Sequence, residues 1–139
     1  MRTLLVTPPF TIHRRFFRNA DTFPVGLASL AASLRAGGHE ASVLDAAAAG
    51  WASQRREGDY VHVGLADDEL ARRIRDFEPE LVGVSAPFSV QAYDAQHVAR
   101  IAREAAPRAT LVGGGAHVTA LPRSLPAGSF DYLVCLLYT

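Results

Sequence analysis

The stretch "LVGVSAPFSVQAYDAQHVARIAREAAPRATLVGG", residues 81–114, contains two short apolar runs separated by a helical pattern. The runs "LVGVS" and "TLVG" have the length and composition of strands that are buried on both faces. Between them, before Pro107 ends the pattern, apolar residues recur at helical spacing: Val98, Ile101, Ala102 and Ala105. A strand, a helix and a strand in this order predict parallel strands joined by a right-handed crossover.

The same alternation extends toward the amino terminus. Residues 3–6 form an apolar run that two prolines end, and this run predicts a first strand. A polar and aromatic loop follows. Pro24 then begins a helix whose apolar positions are Leu27, Leu30, Ala31 and Leu34. Two glycines end this helix, and "EASVLD", residues 40–45, predicts a second strand.

The remaining segments complete the pattern. Residues 46–66 are alanine-rich and then charged, and we assign no element to them. Asp67 or Asp68 is expected to cap a helix that Pro79 ends, and its shared face is formed by Leu70, Ile74 and Phe77. "FDYLV", residues 130–134, predicts a fifth strand. Five strands that alternate with helices predict an open parallel sheet in a three-layer α/β/α arrangement.

Ligands of such sheets bind outside the carboxyl ends of the strands, near the point where the strand order reverses. The loops at that edge therefore contain the candidate binding residues. These are Pro8 and Pro9 after the first strand, Asp45 after the second, Ser85, Ala86 and Pro87 after the third, and Gly113, Gly114, Gly115 and His117 after the fourth.

Composition excludes several classes of function. The 139 residues are 49% hydrophobic and 20% charged, which predicts one folded domain. The formal net charge is zero, so we expect no nucleic-acid partner and no anionic membrane partner. All basic residues are arginine, which excludes a Walker-type phosphate loop and a Schiff base within this chain.

Cysteine content and the first residues indicate where the protein works. Cys135 is the single cysteine, which excludes an internal disulfide and a cysteine-based zinc or iron–sulfur site in this chain. The apolar run at the amino terminus is too short for a signal peptide or a membrane span. We therefore expect a cytoplasmic protein with no membrane partner.

The three glycines at 113–115 have two interpretations. A tight turn is one of them, but a turn normally needs only one or two glycines. We favour the other interpretation, in which three glycines remove side chains from a surface that a flat ligand contacts. A dinucleotide fingerprint is weakly matched, because "GGGAHV", residues 113–118, has valine in the third glycine position and follows the fourth strand.

The polar residues at this edge also have alternatives. His117 has no second metal ligand at short spacing and no paired nucleophile, so it either hydrogen-bonds a ligand or has no special role. Asp45 either reaches a ligand hydroxyl or caps a helix, and Ser85 either donates to a ligand or satisfies a local amide. The segment "HRRFFR", residues 13–18, is expected to be an exposed loop or a contact with a partner domain.

The segments "PPF", "FPVGLASLAASLRAGGHEASVLDA", "PELVGVSA", "ATLVGGGAHVTALP" and "FDYLV" together make the chain resemble one known family. It is similar to the N-terminal cobalamin-binding domain of cobalamin-dependent radical S-adenosylmethionine enzymes, over nearly the whole chain. This resemblance implies a flavodoxin-like (Rossmann-like) fold. It also implies that a corrin ring lies over the carboxyl-end loops and that its nucleotide tail inserts into the side of the sheet.

The resemblance assigns cofactor contacts to both loop and helix residues. It adds the entrance of the first helix to the carboxyl-end loops, because a corrin and its tail need main chain at van der Waals distance. The expected contacts are Pro8, Pro9, Pro24, Gly26, Asp45, Ser85, Ala86, Pro87, Gly113, Gly114, Gly115 and His117. We expect no catalytic residue and no metal ligand among them.

One branch of cobalamin proteins coordinates the cobalt through a histidine in an Asp-x-His-x-x-Gly signature. No histidine here has an aspartate two residues before it. The resemblance is therefore to the radical enzymes rather than to methionine synthase or the mutases, and no histidine ligand of that type is expected.

The resemblance also implies a partner domain. Relatives continue into a barrel with a Cys-x-x-x-Cys-x-x-Cys motif, which holds a [4Fe-4S] cluster that cleaves S-adenosylmethionine, and this motif is absent here. We expect residues 1–134 to be the cobalamin-binding domain of a fragment, and residues 135–139 to be a non-native or truncated tail. The parent is expected to be a methyltransferase. The alternatives are a nucleotide- or sugar-nucleotide-binding domain of a transferase, and a non-catalytic module with a degenerate cobalamin site.

Overall fold

The computed structural model describes residues 1–17 and 23–135. Strands and helices alternate along the chain, with short 3-10 turns between some of them. The elements are β1 (Arg2–Thr7), β2 (Phe10–His13), α1 (Val25–Ala36), β3 (Glu40–Asp45), α2 (Ala46–Ala49), β4 (Arg55–Glu57), β5 (Tyr60–Val63), α3 (Asp67–Phe77), β6 (Leu81–Ser85), α4 (Ala92–Ala105), β7 (Thr110–Gly114), α5 (Ala116–Ala120) and β8 (Tyr132–Val134).

Five strands form one parallel sheet in the order β3-β1-β6-β7-β8. These are the five predicted strands, and in their own numbering the order is 2-1-3-4-5. That order defines the flavodoxin-like class of doubly wound sheets, so the predicted fold is confirmed. The strand order reverses between β1 and β6, where Leu5 pairs with Val43 on one side and with Gly83 on the other.

The two faces of the sheet are packed unequally. On one face, α3 and α4 cover the larger apolar cluster, in which Leu70, Ile74, Val82, Val98 and Leu111 are fully buried. On the other face, α1 packs on β1 and β3 around the smaller cluster of Leu5, Ala31 and Ala41.

One predicted core position of α1 is wrong. Leu27, Ala31 and Leu34 contact the sheet, but Leu30 points away from it and is 54% exposed. The apolar stripe of this helix is therefore narrower than the spacing of its leucines indicates.

A second sheet was not predicted. β2, β5 and β4 form a three-stranded antiparallel sheet, built from the loop after β1 and from the unassigned residues 46–66. Val61 and Val63 point inward and are buried, while β4 is exposed throughout. The segment "HRRFFR" continues from β2, and its residues Arg14, Arg15 and Phe16 are exposed as expected, whereas Arg18 lies outside the described residues.

The start of α3 also differs from the prediction. Ala66 occupies the cap position without a side-chain hydrogen bond, and Asp67 and Asp68 lie inside the first turn. Carboxylates in that turn interact favourably with the positive end of the helix dipole, so these residues stabilise the helix without capping it.

Two glycines hold the second sheet against the carboxyl edge of the parallel sheet. A Cβ at Gly50 would overlap the main chain of Gly64 and Leu65. Gly64 has φ +127°, and a Cβ there would lie 2.7 Å from Cβ of Pro9. This close packing positions β2 and β5 beside the loop that follows β1.

Two further observations concern the ends and helices of the chain. Cys135, the first residue of the expected tail, is exposed after β8, and residues 136–139 lie outside the described part. Within residues 1–17 and 23–135, no helix has the length and apolar character needed to cross a bilayer.

Candidate functional site

The loops after β6 and β7 meet at the carboxyl edge of the sheet. The amide of Ala86 donates to the carbonyl oxygen of Gly114 at 2.7 Å, and the amide of His117 donates to the carbonyl oxygen of Ala86 at 3.1 Å. Pro8 and Pro9 follow β1, which is the strand next to β6. The structure thus brings the predicted residues of three loops to one edge, on both sides of the point where the strand order reverses.

The three glycines have three different environments. A Cβ at Gly113 would lie 3.0 Å from Leu133 Cδ2 and 3.2 Å from the Phe130 ring, so this glycine makes room for the chain's own side chains. Gly115 has φ +115°, and a Cβ there would lie 2.7 Å from the carbonyl oxygen of Ala86. Only at Gly114 is the space largely open, since the nearest atom to a Cβ is the Val134 oxygen at 3.6 Å.

The three glycines therefore do not form one bare surface for a ligand, contrary to the prediction. Internal packing explains Gly113, and the conformation of the β7–α5 turn explains Gly115. Gly114 is the one glycine of this run whose missing side chain leaves room on an open face.

His117 is buried, with 4% of its surface exposed, and both ring nitrogens have partners within the chain. Nδ1 lies 3.0 Å from Ser89 Oγ, and Nε2 lies 2.8 Å from Ser124 Oγ. The Ser124 hydroxyl donates to the carbonyl oxygen of Leu121, so it accepts from His117, which assigns the ring proton to Nε2. The expected hydrogen bond to a ligand is therefore replaced by a contact that holds the β6–α4 loop to the segment after α5.

The contacts predicted near the first helix lie at the far edge of the sheet. Pro24, Asp45 and Arg35 line a cavity of about 630 Å³ beside β3, and β1 and β6 separate β3 from β7. Asp45 Oδ1 accepts from the Ala48 amide at 3.0 Å, which confirms the helix-capping alternative. At Gly26, in the first turn of α1, a Cβ would have no atom of the described residues within 4 Å.

A polar row crosses the α1-side face of the sheet at its carboxyl edge. Ser85, the last residue of β6, pairs with Gly114 of β7. Thr7, the last residue of β1, lies level with Ser85 on the other side of β6. The Thr7 hydroxyl is buried and has no hydrogen-bond partner among residues 1–17 and 23–135. A buried hydroxyl normally finds a partner, so this group, two strands away from the open position of Gly114, fits a bound group with polar atoms that extends across β6. The Thr3 hydroxyl, at the opposite end of β1, is also without a partner in the described residues.

Sequence reasoning missed Thr7, although its position before Pro8 at the end of an apolar strand is a signal that could have identified it. On the same face of the sheet, Tyr132 and Val134 of β8 are 66% and 57% exposed. The row from Thr7 to Gly114 therefore continues into an accessible apolar surface.

A second cavity, of about 740 Å³, lies between the antiparallel sheet and the start of α4. Asp94 lines it and accepts a long hydrogen bond, 3.4 Å, from the Thr11 amide. Burial raises the pKa of the Asp94 carboxyl to about 6, against the opposing effects of the Thr11 hydrogen bond and of His97 and His62. This cavity was not predicted, since β2 and β5 were not recognised as strands. In the described part of the chain, no group of three or more His, Cys, Asp or Glu side chains is arranged to hold a metal ion.

Comparison with solved structures supports the fold class. The response regulator TrrA of Thermotoga maritima matches 100% of this chain and 90% of its own, with a TM-score of 0.58 and 14% identity. The receiver domain of a sensor histidine kinase of Pseudomonas aeruginosa matches 99% of this chain and 87% of its own, with a TM-score of 0.53 and 13% identity. These receiver domains have the flavodoxin-like fold, which is the class that the strand order defines.

The family follows from the sequence. The B12 binding domain family matches residues 18–136, and the chain belongs to it. The chain is 34% identical over 126 residues to the cytidylyl-2-hydroxyethylphosphonate methyltransferase of Streptomyces wedmorensis. It is 32% identical over 126 residues to an uncharacterized methyltransferase of Pyrococcus horikoshii. Each match covers 88% of this chain and 23% of the relative, so the chain spans about a quarter of the length of these methyltransferases.

Proposed function

We propose that this chain is the cobalamin-binding domain of a radical S-adenosylmethionine methyltransferase. The observation that carries the proposal is the orphaned Thr7 hydroxyl beside Ser85 and the open position of Gly114, in a member of the B12 binding domain family. A cofactor tail with polar atoms, lying on this face, would satisfy the hydroxyl and fill the space that a Cβ leaves free.

The residues of this chain bind and orient the cofactor. Thr7 and Ser85 offer hydroxyl groups to the tail, and main chain at Gly114 allows it to approach closely. Pro8, Pro9 and Ala86 lie at the carboxyl edge, in the loops that would face the corrin ring. Bound cobalamin supplies a cobalt centre that carries a methyl group, which no protein side chain provides.

The remaining parts of the proposal concern groups outside this domain. Both relatives are methyltransferases about four times the length of the matched region, which supports a methyltransferase parent. We assign the [4Fe-4S] cluster and S-adenosylmethionine to a barrel elsewhere in that parent. Serine hydroxyls engage both ring nitrogens of His117, so this side chain has no free nitrogen to offer the cofactor.

Hydroxocobalamin retention tests the proposal. The purified chain is mixed with hydroxocobalamin, desalted and examined by visible spectroscopy, and we expect a retained corrinoid with a shifted spectrum. Gly114→Val should reduce the retained corrinoid at least about tenfold, since the added side chain fills the open position while leaving β7 extended.

Thr110→Val is the matched control, because Thr110 lies on the same face of β7 at its opposite end. This variant should retain cobalamin like the unmodified chain. A folded chain that retains no corrinoid would overturn the proposal in favour of a nucleotide-binding domain or a degenerate module. Equal retention by both variants would show that the tail does not lie at Gly114.

A further inference from the structure

The cavity beside α4 lies at the same edge of the molecule as the proposed cofactor face. Pro9, in the loop after β1, lines it, as do Val90 and Asp94, which follow β6. Its opposite wall is the antiparallel sheet, through Thr11 and His62. The cavity therefore borders the carboxyl edge of the parallel sheet at Pro9.

Both histidines that line the cavity have partners within the chain. His62 Nδ1 lies 2.8 Å from the Thr11 hydroxyl, and His62 Nε2 lies 3.3 Å from Glu57. On the α4 side, His97 Nε2 lies 2.9 Å from both carboxylate oxygens of Asp67. The imidazole groups are thus held by pairs within the chain.

Asp94 differs from these neighbours. Within the described residues its carboxylate accepts one hydrogen bond, the 3.4 Å contact from Thr11, and it makes no ion pair within 4 Å. An ionised carboxylate has about four acceptor positions, so most of its hydrogen-bonding capacity is unused. A half-buried carboxylate with spare acceptor positions, facing a cavity, suits a ligand with N–H donors.

We propose that Asp94 forms a subsite that accepts a hydrogen bond from a peripheral amide group of the bound corrinoid. The proposal rests on the proposed function and extends it to a named side chain. The corrin ring carries acetamide and propionamide groups around its rim. Their N–H groups can donate to the acceptor positions of Asp94 that have no partner in the described residues. The antiparallel sheet has a role in this arrangement, since Thr11 orients the carboxylate and β5 closes the cavity.

The raised pKa of Asp94 is consistent with this role. Burial raises the pKa of the carboxyl to about 6, so ionisation in the unliganded domain costs more free energy than it does in water. Hydrogen bonds from a ligand favour the ionised form and relieve that penalty. Ionisable groups with strongly shifted pKa values in a cavity are frequently ligand contacts.

Equilibrium dialysis with methylcobalamin in the dark tests the proposal on the full chain. At about pH 5 the affinity should be roughly tenfold weaker than at about pH 7.5, which is the ratio of the ionised fractions for a pKa of about 6. Asp94→Asn should bind at least as weakly as the unmodified chain at the lower pH, and its affinity should be independent of pH.

Other groups facing Asp94 are tested in parallel. Histidines in general change charge in this pH range, so His62→Gln and His97→Gln are included and should keep the pH dependence. Asp76→Asn makes the same charge change on the exposed face of α3, where Asp76 pairs with Arg72, and should bind like the unmodified chain. Arg55, Asp67 and Asp68, the other charged groups lining the cavity, are unchanged in all variants.

The outcomes separate this inference from the proposed function. If the unmodified chain binds methylcobalamin with the same affinity at both pH values, and Asp94→Asn binds equally well, the subsite is overturned while the proposed function stands. A pH dependence that His62→Gln or His97→Gln abolishes would also overturn it. If the unmodified chain binds no corrinoid at either pH, both proposals fail.

Discussion

Asp94 shows how one side chain can lower the stability of a domain at neutral pH. Its carboxyl is removed from water by the antiparallel sheet and α4, and burial is the largest cause of its raised pKa. Because the pKa in the folded state lies above the unfolded value, the folded state binds a proton more readily between about pH 4 and pH 6. Asp94 therefore makes the domain less stable as the pH rises through that window.

Asp94→Asn should raise the free energy of unfolding at about pH 8 by about 1 kcal/mol and leave it unchanged near pH 4. A shift of about two pKa units corresponds to about 3 kcal/mol, but the carboxyl is partly solvated and loses a favourable position at the start of α4. Urea unfolding at the two pH values measures the difference. Asp68→Asn, an exposed aspartate in the first turn of α3, should show no gain. A less stable Asp94→Asn variant at high pH would contradict this reasoning.

His117 and Gly115 make contacts within the chain that their spacing in the sequence did not reveal. The histidine was expected to face a ligand, but Ser89 and Ser124 occupy both of its nitrogens. The glycine was expected to keep a surface bare, but the main chain of Ala86 lies against it. In both cases the partner is distant in sequence, and spacing along the chain carries no information about such contacts.

Among the elements, the helices differ in how firmly they are held. α4 contributes Ala95, Val98, Ala99, Ile101 and Ala102 to the larger apolar cluster. α1 contributes Ala31 as its one buried residue and packs on a smaller cluster, while Leu30 and Val25 are exposed. Buried apolar area is the main source of helix stability in proteins, so α1 is the weaker element.

Native-state hydrogen exchange should show this difference. Amides in the middle of α1 should have protection factors at least about tenfold lower than those in the middle of α4, because local opening of α1 exposes less apolar surface. Amides of β1 serve as the internal reference, since this strand pairs on both sides. Equal protection of the two helices would show that α1 opens only with the whole domain.

The strands also differ in how well the sequence predicts them. β1, β6 and β7 are short apolar runs, and each was predicted within about one residue. The interior residues of β1 and β6 are buried, whereas in β7 buried and half-buried residues alternate. β2 and β5 are half-buried, and about fifty residues separate them in sequence. β4 has no buried residue at all. Short strands of this kind depend on pairing for their stability, and pairing at long range leaves no local pattern.

For the whole molecule, binding of the cofactor and stability are linked. A ligand that binds only the folded state raises the free energy of unfolding by about 2.7 kcal/mol at a hundred times its Kd. For a domain of 139 residues this corresponds to an increase in Tm of roughly 5–10 °C. The proposed site lies on the parallel sheet itself, so the whole fold should gain stability.

Thermal unfolding with increasing hydroxocobalamin measures this gain. The unmodified chain should show a Tm that rises with ligand concentration, and Gly114→Val should show little or no increase at the same concentrations. Thr110→Val should behave like the unmodified chain. An equal increase in Gly114→Val would place the bound corrinoid away from the face that carries Thr7 and Ser85.

The amino-acid sequence by itself determined the parallel sheet, the order in which strands and helices alternate, and the edge at which we expect a ligand. These features depend on local patterns: apolar runs for buried strands, helical spacing for helices, and prolines or glycines at their ends. The sequence segments that carry the resemblance coincide with these strands, helices and loops. The match to the B12 binding domain family agrees with the cobalamin-binding part of that resemblance.

Only the tertiary structure decided which of the candidate residues lie together. It separates the β3 edge, with Asp45, from the glycine loop, and it places the unpartnered Thr7 hydroxyl beside Ser85. It also creates the cavity of Asp94 by folding a second sheet over α4. Burial, hydrogen-bond satisfaction and pKa depend on atoms that distant segments bring within a few ångströms, and a linear pattern contains none of those distances.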